Sequence, residues 1–261
     1  MPTAKVNDQT IHYADNRSDG PAVIWSHGFL MDHTMFDAQV AGLGDDYRCI
    51  RWDERGFGET DADAPFSYWD SADDCVGLLD HLGIDRAVFA GMSQGGFLSL
   101  RAALAHPDRV RALILIDTEP GVDPPEVIAG YQGMIDHWMS DQPLGAVGEG
   151  VAGLILGEPS LNAEWIAKWE ERRGEHILHA ANTLFTRDDI TKRMGEITCP
   201  ALIVHGSEDQ SISIDKAWAM EAALPDCRGL IEIEGAAHAP NMTHAEPVNA
   251  TIASFLASLD S

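Results

Sequence analysis

The sequence predicts an α/β fold built on a largely parallel sheet with helices on both faces. Three observations carry this: short apolar runs recur along the chain, segments of helix length separate them, and those segments have helical periodicity. Such alternation is the pattern of parallel strands joined by crossover helices.

Taken in order, Lys5 to Ala14 reads as an antiparallel hairpin turning near Asn7-Asp8-Gln9. The runs Ala22 to Ser26, Tyr47 to Trp52, Arg86 to Ala90, Arg111 to Ile116, Ala201 to His205 and Leu230 to Ile233 follow. With the hairpin they make a mostly parallel sheet of about eight strands. Cys75, Leu78, Leu79 and Leu82 form one core-facing stripe at helical spacing, and Val248, Ile252, Phe255, Leu256 and Leu259 form another. The rhythm breaks between Asp117 and Pro200, a stretch too long for one crossover. It holds joints at Gly121-Val-Asp-Pro-Pro125 and Gly157-Glu-Pro-Ser160, and helical pieces notably over Leu161 to Thr186. It reads as a helical cap inserted after the sixth strand, so the chain divides into a core over 1–118, a cap over 119–198 and the rest of the core over 199–261.

Composition narrows the function classes. The chain has 261 residues and is 45% hydrophobic, enough for one domain with a sizeable core. Lys and Arg number 17 against 42 Asp and Glu, a formal charge of −25 that argues against nucleic acid or an anionic membrane as partner. Cys49, Cys75, Cys199 and Cys227 are scattered, with neither a C-x-x-C pair nor zinc-like spacing. The first residues lack the charged-then-apolar pattern of a signal peptide, and no run approaches the ~18 apolar residues of a membrane span. The expectation is a cytoplasmic protein.

The chemistry concentrates at Gly91-Met-Ser93-Gln-Gly95-Gly96, which follows an apolar strand and precedes the apolar helix Phe97 to Leu104. This is the setting of a G-x-S-x-G turn, where flanking glycines let a strained backbone lift a serine hydroxyl above the sheet edge. A serine hydroxyl is a poor nucleophile until a base takes its proton, so a histidine and an orienting carboxylate are required. His238 in Gly235-Ala-Ala-His238 lies directly beyond the eighth strand, and Asp209 in His205-Gly-Ser-Glu-Asp209 directly beyond the seventh. Loops at the carboxyl ends of parallel strands converge on one face, so Ser93, Asp209 and His238 are the expected catalytic set. Asp117, at the end of the sixth strand, is the rival for the acid role. His27 and His205 also sit at strand ends but in the wrong order, and are expected as structural hydrogen-bonders.

An oxyanion needs preorganised donors. One is expected from the Gln94 backbone N–H, just after the nucleophile, and a second from Phe29 in His27-Gly28-Phe29, where the glycine permits close backbone approach. Tyr131, Trp138, Trp165 and Trp169 are candidates to line a substrate pocket under the cap, although for any single one of them plain packing between cap and core is the commoner reading. Neither H-E-x-x-H nor G-x-G-x-x-G occurs, so no metal and no cofactor are expected.

Together with Asp53-Glu-Arg-Gly-Phe-Gly58, these segments resemble the α/β-hydrolase superfamily over nearly the whole chain. Within it the chain looks like small serine esterases and enol-lactone hydrolases with a helical cap. The resemblance implies a small-molecule carboxylic ester or lactone as substrate, cleaved through an acyl-enzyme. Ser93 argues against dehalogenases and epoxide hydrolases of this fold, which carry aspartate as nucleophile. Phe29-Leu30-Met31 and Gln94 differ from the usual perhydrolase residues. Amide or carbon–carbon bond hydrolysis and perhydrolysis on the same residues remain alternatives, as does a binding protein or receptor that keeps the fold without turnover.

Overall fold

The structure is a computed structural model that describes residues 1–44 and 46–259. Strands β1 (Thr3–Val6) and β2 (Gln9–Asp15) form an antiparallel hairpin. Its turn, Asn7-Asp8, has φ values of 46° and 63°. Asn and Asp tolerate that region better than other side chains, and two-residue hairpin turns require it. β2 pairs antiparallel with β4 (Arg48–Trp52), and every later pairing is parallel among β3 (Ala22–Ser26), β4, β5 (Ala87–Met92), β6 (Val110–Ile116), β7 (Ala201–Gly206) and β8 (Cys227–Ile233).

The sheet order is β1-β2-β4-β3-β5-β6-β7-β8. From β3 the chain steps one way to β4, then returns past β3 to β5 and steps the other way through β8. The loops leaving β3 and β5 therefore part at the switch point, which opens a crevice at the carboxyl edge of the sheet. Both faces of the central strands are buried. Val23 and Trp25 pack on one face with α1 (Asp37–Leu43) and α10 (Ala245–Ser258). Ile24 packs on the other with α2 (Tyr68–His81), α3 (Gln94–Ala105) and α8 (Ile214–Ala223). The predicted stripes supply these contacts: Cys75, Leu78 and Leu79, and Val248, Ile252, Phe255 and Leu256, are all buried. A reciprocal capping box between Ser67 and Asp70 fixes where α2 begins.

Between β6 and β7 lie α4 (Pro125–Trp138), α5 (Gly145–Ile155), α6 (Pro159–Arg172) and α7 (Ile177–Phe185). Proline opens both α4 and α6, where its missing N–H costs no hydrogen bond. Trp138, Trp165 and Trp169 knit this segment together, with ring centroids 5.5 Å apart for Trp138 and Trp169 and 6.4 Å for Trp165 and Trp169. The cluster also grips the loop after β3: the Trp169 indole N–H donates to the Leu30 carbonyl at 2.7 Å, and Lys168 Nζ donates to Thr34 Oγ1 at 2.8 Å. Among the described residues no helix is long and apolar enough to cross a membrane.

Candidate active site

Ser93 joins β5 to α3 with φ 52° and ψ −115°, a conformation that side chains bearing a Cβ rarely hold. The surroundings over-determine it. Its N–H donates to the Ile116 carbonyl at 2.9 Å, and its own carbonyl accepts from the Gly96 and Phe97 N–H groups and from Thr118 Oγ1 at 2.7 Å. A Cβ on Gly91 would strike the Gly95 carbonyl, and one on Gly95 the Ser26 carbonyl, so both glycines are sterically required.

His238 and Ser93 line one cavity, which also takes in Gly28, Phe29, Tyr131, Glu119, Asp123 and Arg187. The other ring nitrogen of the His238 pair is committed: Nδ1 lies 2.7 Å from Asp209 Oδ2. Asp209 is held in turn by the N–H groups of Ser211 at 2.8 Å and Ile212 at 3.1 Å. Burial pushes its carboxyl up, but the His238 charge and hydrogen bonds from His238, Asp117 and Ile212 bring it below the ordinary range.

Asp117 does not compete for His238. It is fully buried at φ 43°, accepts the Gly206 N–H at 2.8 Å and has a carboxyl oxygen within 4.8 Å of one of Asp209. Two buried carboxyls so close repel when both are charged. Burial, with the Asp209 charge beside it, raises Asp117 well above the carboxylate range, so the proton belongs to Asp117. His205 Nε2 donates to the Ile212 carbonyl at 2.8 Å, and burial lowers the basicity of the ring. Among the described residues, Asp117, His205 and Asp209 are the grouping whose donor atoms, all within 4.8 Å of one another, could approach a metal ion; hydrogen bonds already engage all three.

The loop after β3 turns back through Met31 N–H to Gly28 C=O at 3.0 Å, with Leu30 as its third residue at φ 66°. Glycine or asparagine usually fills that place. Here the Trp169 indole on the Leu30 carbonyl restrains it. Beneath the loop, His27 Nδ1 donates to the Gly28 carbonyl at 2.8 Å while Nε2 accepts the Glu54 N–H at 3.0 Å. Burial lowers the His27 pKa and keeps the ring neutral. Gln94 turns its side chain inward, accepting from Tyr68 Oη at 3.2 Å and donating to Glu54 Oε2 at 3.1 Å. Glu54 therefore touches both the loop after β3, through His27, and the turn after Ser93, through Gln94, and burial raises its carboxyl well above the usual range.

Tyr131 lies in the cavity wall, and burial pushes its hydroxyl up to about 12. Trp138, Trp165 and Trp169 are not in that wall. They are buried against one another and line a separate hollow beside Phe57, Lys168 and Arg172. Their indoles pack the 119–198 segment on the core, which corrects their reading as pocket residues. Sequence reasoning also missed Glu119, Asp123 and Arg187 in the cavity and Glu54 and Tyr68 beneath it. Only the Asp53 to Gly58 motif gave any signal, for Glu54.

The profile of the alpha/beta hydrolase fold family matches residues 21–245. 3-oxoadipate enol-lactonase 1 of Acinetobacter baylyi is 24% identical, over 92% of this chain and 90% of its own. The bifunctional esterase/perhydrolase DCH of Acinetobacter calcoaceticus is 27% identical, over 92% and 93%. Among solved structures, a thermophilic esterase from Thermogutta terrifontis superposes with a TM-score of 0.91 at 26% identity, covering 100% of this chain and 99% of that one. With its sheet order, its strained Ser93 turn and a profile match across most of its length, the chain belongs to the alpha/beta hydrolase fold family.

Proposed function

We propose that the protein hydrolyses a carboxylic ester or lactone through an acyl-enzyme on Ser93. The observation that carries this is one cavity bordered by both the strained Ser93 and His238, whose far nitrogen is anchored on Asp209. His238 takes the Ser93 proton as Oγ attacks the carbonyl carbon, and the carbonyl electron pair moves onto oxygen. Phe29 and Gln94 backbone N–H groups hold that oxyanion. Collapse breaks the acyl–oxygen bond, and His238 returns its proton to the leaving oxygen. Water then gives a proton to His238 while attacking the acyl carbon; collapse frees the acid and restores the serine. Asp209 keeps the imidazole in the Nδ1–H tautomer and stabilises its cation. Enol-lactonase and esterase relatives support this reaction class.

In this reading residues 119–198 act as a cap over the cavity, and Tyr131 is a substrate contact. The four unpaired thiols support a reducing, cytoplasmic setting. Ser93→Ala tests the proposal: it lowers kcat/KM on short p-nitrophenyl esters by about 10,000-fold or more, and a fluorophosphonate labels the wild type but not the variant. A folded variant with an unchanged rate ends it.

A further inference from the structure

Arg187 is the only Lys or Arg among the described residues of the cavity wall, and a buried guanidinium there resembles a socket for a substrate carboxylate. Four of its five N–H donors are already engaged. Nε donates to the Gly121 carbonyl at 3.0 Å, one terminal nitrogen to Asp123 Oδ2 at 2.8 Å and Leu184 O at 3.1 Å, and the other to Glu119 Oε1 at 3.3 Å. The guanidinium face lies 4.6 Å over the Phe97 ring. The Glu119 and Arg187 side chains are almost wholly buried, and Lys216, half exposed, reaches to 3.8 Å from the other Glu119 oxygen.

One positive and two negative groups therefore face the cavity from Arg187, Glu119 and Asp123. Burial pushes the Glu119 carboxyl above its ordinary range, so the trio carries between no charge and one negative charge. Lys216 pairs with Glu119 from outside the wall, and Arg187 is paired with Glu119 and Asp123, so the wall itself presents no unpaired Lys or Arg. An incoming carboxylate would lose its water, find a single unengaged N–H on Arg187 rather than a bidentate fork, and lie beside two carboxyl groups. Most of the remaining wall is apolar, including Met92, Met134, Leu154 and Ile155.

We infer that the Ser93 cavity selects esters or lactones whose acyl side is apolar and uncharged, and that Glu119 and Asp123 enforce this by occupying Arg187. The inference rests on Ser93 being the nucleophile only for its kinetic arm; its binding arm does not.

The kinetic arm compares p-nitrophenyl hexanoate with the mono-p-nitrophenyl ester of adipic acid, equal in chain length but ending in a carboxylate. The neutral ester is expected to have at least about a 30-fold higher kcat/KM, and Glu119→Gln, which removes the negative charge beside Arg187, to narrow that ratio about 10-fold. Asp123→Asn serves the same purpose should Glu119→Gln fail to fold. The binding arm measures the matching p-nitroanilides on Ser93→Ala by calorimetry, where the neutral ligand binds at least about 10-fold tighter. Equal or tighter binding of the carboxylate anilide, no binding of either, or a ratio that neither acidic variant moves overturns the inference. Ester hydrolysis that survives Ser93→Ala instead refutes the proposed reaction and leaves the binding comparison to decide selectivity.

Discussion

The carboxyl edge of the sheet and the segment over 119–198 meet at one cavity, yet they are built on opposite principles. At the edge, backbone geometry does the positioning: the Ser93 carbonyl accepts three donors, and Asp209 accepts two N–H groups besides His238. In the insert, side chains do it, through the buried tryptophans and the Arg187 cluster. Backbone geometry follows from strand order and is hard to vary. Side-chain packing can change pocket chemistry while the sheet stays intact, so under the proposed function the edge governs the reaction and the insert its substrate.

The sharpest way to break this division is at Asp209. Asp209→Asn preserves shape but removes the charge that fixes the His238 tautomer, so kcat is expected to fall by about 1,000- to 10,000-fold with KM little changed. Steady-state kinetics on a short ester measures it. A loss below about tenfold would mean that another group orients His238.

A smaller effect is expected where the two regions touch. Trp169→Phe keeps the aromatic packing but removes the donor on Leu30, whose positive φ shapes the loop carrying the Phe29 N–H. A displaced oxyanion donor lowers kcat by about 10- to 100-fold and leaves KM nearly alone. If Trp169 only packs, stability falls while kcat in the folded enzyme holds; unfolding curves beside kinetics separate the cases.

The same contrast explains what was legible in the sequence. Ser93, Asp209 and His238 stand in short motifs directly after strands, so their positions follow once the strands are read. The stripes on α2 and α10 were readable because burial repeats at helical spacing. Arg187 pairs with Glu119 and Asp123 across more than sixty positions, and no local pattern records such a meeting. The tryptophans show the converse limit. Periodicity placed Trp165 and Trp169 on one face of α6, but which neighbour that face covers is set by how four helices fold back on the core.

The smallest and most discriminating test is Asp117→Asn. Asparagine suits φ 43°, can still accept the Gly206 N–H and carries no charge beside Asp209. Activity should stay within about threefold of wild type. The signature is in stability against pH. Folded Asp117 holds its proton well above the ordinary carboxylate range, whereas the unfolded residue loses it at about 4. Wild type therefore loses stability as pH rises above about 4, by at most about 1.4 kcal/mol for each pH unit, until the folded carboxyl titrates. Asparagine carries no such penalty. Asp209 acts in the other sense: its folded pKa is depressed, so its contribution is present above the unfolded pKa and lost as pH falls through the folded one. That contribution is common to both proteins and cancels in their difference. Urea unfolding at about pH 5 and about pH 8 should show Asp117→Asn gaining on wild type at the higher pH. An identical difference at both would place the proton on Asp209 and return Asp117 to contention as the acid.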